Sequence, residues 1–116
     1  AMLGDLERAM NNEEEIVVTL WTPFWATVNF DVRQLEDRDN IYGEPEGLHT
    51  LGRAGFTEEF PEVANMIENF SLTDEQFADL ENTMVNEFDD DDQGAVHAWL
   101  EENPDIVEQM SADLNE

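Results

Sequence analysis

The chain is predicted to be α/β, a few strands followed by a helical C-terminal half, and three observations lead there. The run Ile16-Val17-Val18-Thr19-Leu20 is almost wholly apolar and rich in β-branched residues, the pattern of a strand buried in a covered sheet. Pro23 stops such a ladder, because it has no N–H to donate. From Glu58 onward the apolar residues recur instead at spacings of three and four, the period of helices that bury one face.

Leu3, Leu6 and Met10 set a short first helix that ends near Asn11-Asn12 and leads into the strand at residues 15–20. Phe30 to Leu35 is a second extended stretch. Residues 37–47 hold Asn40, Gly43, Pro45 and Gly47 and read as a turn-rich connection. Residues 47–54 read as another strand, closed by Gly55. The next helix, over 58–70, carries Val63, Met66, Ile67 and Phe70 on one stripe. Pro61 is tolerated there because a first-turn N–H has no intrahelical acceptor to lose. Thr73 with Gln76 makes a capping box for a helix reaching about Phe88, with Phe77, Leu80, Met84 and Phe88 on its apolar face. Asp89-Asp90-Asp91-Asp92 opens a further helix through Val96, Trp99 and Leu100, four carboxylates suiting the partial positive charge of a helix start. Asn103 is read as the next N-cap and Pro104 as its N1 residue, before Ile106, Val107, Met110 and Leu114. Met66, Met84 and Met110 fall on apolar stripes and are assigned to the core, as is Trp99. There is no internal repeat, and residues 1–116 read as a single domain.

Charge excludes several partner classes. Thirty acidic residues face four cations, all arginine, giving a net charge of -26 at pH 7. Nucleic acid and anionic membrane surfaces are repelled by such a chain. Like charges also oppose compaction, and screening lengths of about 3 Å at 1 M salt relieve that opposition, so the surface suits high ionic strength. With no cysteine there is no disulfide, thiolate nucleophile or thiolate metal site. No run reaches transmembrane length and no signal peptide opens the chain.

No enzyme or cofactor motif is present. His49 and His97 stand alone, His49 as a structural residue and His97 on a helix surface, and neither a phosphate-binding glycine loop nor a serine nucleophile elbow occurs. Asp89, Asp91, Gln93 and Gly94 match the first, third, fifth and sixth places of an EF-hand loop. Its twelfth place, which needs a bidentate Glu, is Leu100. No metal site is therefore assigned, and the rival function is an acidic structural or interaction domain that responds to calcium in its strongest form.

The residues that stand out are Trp21-Thr22-Pro23-Phe24-Trp25, three aromatic rings in five positions at the end of the first strand. In open α/β sheets, ligands bind in the crevice beyond strand ends. Trp faces attract cations, including quaternary ammonium groups that have no N–H to hydrogen-bond. On spacing alone, core packing is the commoner use of such a cluster.

The order of short matches along the chain adds to this. Trp21-Thr22-Pro23-Phe24-Trp25, Leu35-Glu36-Asp37, Tyr42-Gly43-Glu44, Leu48-His49-Thr50, Gly55-Phe56, Pro61-Glu62, Glu68-Asn69-Phe70 and Trp99-Leu100-Glu101-Glu102-Asn103-Pro104 follow one another. In this the chain resembles, from about Ile16 to Met110, the C-terminal part of the glycine betaine/proline-binding proteins of ABC-type osmolyte importers. The resemblance implies a periplasmic-binding-protein-like type II fold, in which two lobes close over the ligand and an aromatic cage surrounds its trimethylammonium group. It makes Trp21 one cage wall, flanked by Phe24 and Trp25. Some members carry a His at the place of Phe24 that helps to hold the ligand's carboxylate, and Phe24 offers only a face. Trp25 has two readings, a crevice wall and a core plug. The implied partners are a small quaternary ammonium ligand (glycine betaine, proline betaine or a choline-like cation) and an ABC permease, with an extracytoplasmic location. Family chains are longer, so residues 1–116 are expected to be a piece or a divergent half that binds betaine weakly by itself. An uncovered crevice would favour self-association into a homo-oligomer.

Overall fold

The first helix, α1 (Met2–Asn11), forms where the Leu3, Leu6, Met10 spacing predicts, but its buried face is Leu6 and Ala9, 1% and 2% exposed, with Leu3 half-buried and Met10 exposed. In the computed structural model, which describes residues 1–115, the chain reverses after α1 at Glu13, where φ is 56°, and Glu14 N–H donates to Ala9 O at 2.9 Å. Residues 15–20 then run back beside α1, with Thr19 Oγ1 3.9 Å from Met2 Sδ.

That segment is extended but joins no sheet. Val18 and Leu20 are half-buried while Val17 is 80% exposed, so the two-residue alternation of extended backbone is present without a ladder. No strand forms among the described residues: the strands predicted at 15–20 and 47–54 are absent, and the extended stretch at 30–35 joins no sheet. The physical reason is that a strand's main-chain groups need a neighbouring edge, and no other extended segment pairs with these. Residues 33–55 are all exposed, turns included, with Leu48 at 71% and Leu51 at 90%. This arm gives a radius of gyration of 18.1 Å, where a compact chain of this length has about 13 Å.

The helical half follows its local chemistry more closely. The stretch predicted as one helix over 58–70 is two, α3 (Phe56–Glu59) and α4 (Pro61–Asn69). Phe60 between them has φ −130° and ψ 62°, because a residue before proline is pushed out of the helical region. Gly55, at φ 79°, supplies the left-handed turn into α3. Thr73 opens the next helix, α5 (Asp74–Asn82), with the full capping box: Gln76 N–H donates to Thr73 Oγ1 at 3.1 Å, and Thr73 N–H donates to Gln76 Oε1 at 2.9 Å. The α5 helix then widens into a π-turn over Thr83–Glu87, where Phe88 N–H reaches back five residues to Thr83 O at 3.1 Å.

Asp89 and Asp90 take positive φ, 29° and 71°, and Asp91 caps α6 (Asp92–Glu102) by accepting from Gly94 N–H at 3.0 Å. Helix therefore occupies residues that an EF-hand loop would need, and no such loop exists here. Asn103 stands at the predicted N-cap position, with Pro104 in the first turn that follows, but its side chain bonds elsewhere. Its Nδ2 donates backward to Trp99 O at 2.9 Å and closes the end of α6, while α7 (Pro104–Met110) starts without a side-chain cap. A short 3₁₀ turn, Ala112–Asn115, ends the described chain.

The helix α5 is the hub of this half. It packs against α6 on one side and, on another, against a four-residue helix α2 (Ala26–Asn29); α6 leans on α7, and α7 on α4. The buried residues of the body are small or singular: Ala26, Ala78, Thr83, Ala95, Trp99 and Ile106. Alanines let helices approach closely, so one large side chain, Trp99 at 4% exposure, fills the centre as predicted. Its indole Nε1–H donates to Asp79 Oδ2 at 2.9 Å.

Candidate functional site

The rings of the Trp21 to Phe30 segment form a continuous chain. Trp21 stacks on Phe24 with centroids 4.3 Å apart and planes at 29°. Phe24 touches Trp25 at 5.6 Å, and Trp25 touches Phe30 at 6.1 Å. Offset and tilted pairs at these distances are favourable beyond the area they bury.

Exposure grades along the stack. Phe24 is 7% exposed, Trp25 is half-buried, and Trp21 is 59% exposed. An indole in that position has one face backed by a buried ring and the other toward solvent. Backing on one side costs it mobility before any ligand arrives, which is how a rigid recognition surface is made.

Local hydrogen bonds hold the turn that carries the rings. Thr27 Oγ1–H and Thr27 N–H both donate to Phe24 O, at 2.7 and 3.0 Å. Val28 and Asn29 N–H donate to Trp25 O at 3.2 and 3.1 Å. The Thr22-Pro23 peptide is cis. One longer-range tie fixes the turn to the helical body: Trp25 N–H donates to Glu81 Oε2 at 2.7 Å, across 56 residues of sequence.

The three residues singled out from sequence, Trp21, Phe24 and Trp25, thus stand together. Phe30 extends the stack and was assigned only to an extended stretch. Glu81 was not singled out, and no motif marks it among thirty acidic residues.

Other features lie apart from the rings. A cavity of about 180 Å³ is lined by Glu62, Asn65, Met66, Met110, Asp113 and Leu114, between α4 and the C-terminal turns. A smaller one, about 50 Å³, lies over Thr83 and Trp99. His49 and His97 are exposed. Asp37 Oδ1 and Oδ2 accept from Ile41 and Tyr42 N–H at 3.0 and 2.9 Å, and these bonds, Tyr42's first, hold its carboxyl below the ordinary 3.8. They close the predicted turn-rich connection. Among the described residues no group of three or more metal-ligating side chains converges, and no helix is long and apolar enough to cross a membrane.

Comparison with known proteins bears on the chain as a whole. Residues 1–102 match a family model described as the substrate-binding domain of ABC-type glycine betaine transport systems. The chain is 38% identical over 108 residues to a glycine betaine/carnitine transport binding protein, GbuC, of Listeria monocytogenes serotype 1/2a (strain 10403S). That match covers 92% of this chain and 35% of the relative, so the chain spans about a third of the relative's length. No solved structure matches.

Proposed function

This chain belongs to the substrate-binding domains of ABC-type glycine betaine transport systems, and from that premise we propose that it helps to capture a quaternary ammonium osmolyte and present it to a membrane permease. Membership implies the type II periplasmic-binding fold. In our reading, residues 15–20, 30–35 and 47–54 would find in that fold the sheet partners they lack here. Capture involves no covalent chemistry, and its work is done outside the cytoplasm.

Trp21 is the ligand wall in this reading, with Phe24 behind it and Trp25 beside it. The supporting observation is the stack itself: an indole 59% exposed, laid at 4.3 Å on a ring that is 7% exposed. A trimethylammonium group set on the free face is attracted to the ring's negative potential, by up to about 2 kcal/mol when desolvated. One such contact corresponds to a dissociation constant on the order of 30 mM. Residues 1–116 alone are therefore weak binders.

Glycine betaine is net neutral, so the charge of -26 adds little general attraction for it. Titrating it into the chain while following tryptophan fluorescence tests the proposal. The emission should change with a midpoint of tens of millimolar, and Trp21→Ala should abolish the change while leaving Trp25 and Trp99 to report that the chain is folded. An unaltered response in Trp21→Ala would remove Trp21 from the site. Micromolar affinity would show a complete cage, and a second copy of the chain supplying the missing walls would then appear as a dimer by light scattering.

A further inference from the structure

The aromatic turn owes its position to a group far from it in sequence. Residues 20–30 lie between the extended segment beside α1 and the exposed arm, and neither pairs into a sheet. What joins this turn to the helical body is the packing of α2 on α5, where Ala26 and Ala78 are both buried at 0% and 1%, together with the bond from Trp25 N–H to Glu81 Oε2 at 2.7 Å. Buried alanines let α2 and α5 approach closely but are too small to interlock. A carboxylate accepting a main-chain N–H does fix position, because the bond's strength depends on distance and direction.

We propose that Glu81 is the positioning residue of the osmolyte-binding surface: its carboxylate, by holding Trp25 N–H, sets where the Trp21 face stands relative to the helical body. This rests on Trp21 being the ligand wall. Several features of Glu81 suit the role. It is half-buried at the end of α5, so its bond is partly shielded from water. Its neighbour on the same helix, Asp79, binds the Trp99 indole at 2.9 Å, so α5 is itself anchored to α6 and offers a fixed base. The acceptor reaches the turn between Phe24 and Ala26, where a shift of Trp25 moves Phe24 and the ring stacked on it.

Amide and indole resonances of the labelled chain test this without needing ligand. In the unaltered protein the Trp25 amide should exchange slowly. Glu81→Ala should speed that exchange by about tenfold or more and displace the Trp21 and Trp25 indole signals, with the Trp99 indole unmoved. Glu81→Gln, whose amide oxygen accepts the same bond, should restore all three signals. Glycine betaine affinity should fall about tenfold in Glu81→Ala and recover in Glu81→Gln. The proposal is overturned if the Trp25 amide of the unaltered chain exchanges as fast as the amides of the exposed residues 47–54, or if Glu81→Ala leaves Trp21 and Trp25 in place. It is equally overturned if the Trp99 indole moves with them, which would make Glu81 a general support of the fold. Failure of the unaltered chain to respond to betaine would count against the ligand wall alone, because the amide and indole signals judge Glu81 independently.

Discussion

Replacing Trp99 by Phe removes the single large side chain at the centre of the helical half, and its cost can be worked from two terms. The indole N–H donates to the charged Asp79 carboxylate at 2.9 Å. Such bonds are worth about 1.5–3 kcal/mol, and the lower end applies because Asp79 is exposed and regains water when the bond is lost. The smaller ring also leaves part of a site that is 4% exposed unfilled, at about 1 kcal/mol. The sum is about 2.5 kcal/mol, a large share of the stability of a domain this size. Urea unfolding followed by far-UV circular dichroism, at fixed salt, should show that loss as a lower midpoint with an unchanged slope. Asp79→Ala should cost about 1–3 kcal/mol by leaving a buried N–H unpaired. The double variant should cost less than the two single losses added, with a coupling of about 1 kcal/mol or more. Coupling within about 0.3 kcal/mol of zero would refute the bond as a support of α5 and α6.

Three further outcomes are expected. Raising salt from 0.1 to 1 M shortens the screening length from about 10 to about 3 Å and should raise the melting midpoint by on the order of 5 °C, since net charge of -26 opposes folding; a fall would contradict this. Asp37 is held below its ordinary 3.8, so its turn is fully formed above that value and is lost as pH falls through the depressed one; amide signals of Ile41 and Tyr42 should titrate together with a midpoint below 3.8, and Asp37→Asn should remove the transition. Gly4 in α1 has nothing within 4 Å of an added Cβ, whereas at Gly94 the same atom would collide with the Asp91 carboxylate that caps α6. Calorimetric melting should show Gly4→Ala stabilising by about 0.5–1 kcal/mol and Gly94→Ala worse than it by about 1 kcal/mol, through loss of the cap; equal gains would contradict the cap's role.

What was legible in the sequence was local. The Leu3, Leu6, Met10 spacing located α1, Thr73 with Gln76 gave both bonds of the capping box, and Trp99 fell on the one buried stripe that needed a large residue. Strands were not legible in the same sense, because Ile16 to Leu20 carries the composition of a strand while a ladder depends on an edge elsewhere. The split of α3 from α4 was encoded in Phe60-Pro61, and reading Pro61 as tolerated within one helix missed the constraint that proline places on the residue before it. Asn103 and Pro104 took the N-cap and first-turn places read from the sequence, but residue type did not say that the Asn103 side chain would bond back to Trp99 O and not forward into α7. Within the candidate site, the three rings were visible as neighbours in sequence, but Glu81 was not. A carboxylate that accepts one main-chain N–H from 56 residues away leaves no spacing to read, least of all among thirty acidic side chains.

The most direct measurement is a proton Overhauser experiment on the chain in concentrated glycine betaine, run in 1 M salt to screen the acidic surface. Ligand methyl protons should show cross-peaks to the Trp21 indole ring, weaker ones to Trp25, and none to Trp99. Methyl cross-peaks that fall on Trp99 or on the Met66 and Met110 cavity while Trp21 shows none would contradict the assignment of Trp21 as the wall that holds the quaternary ammonium group.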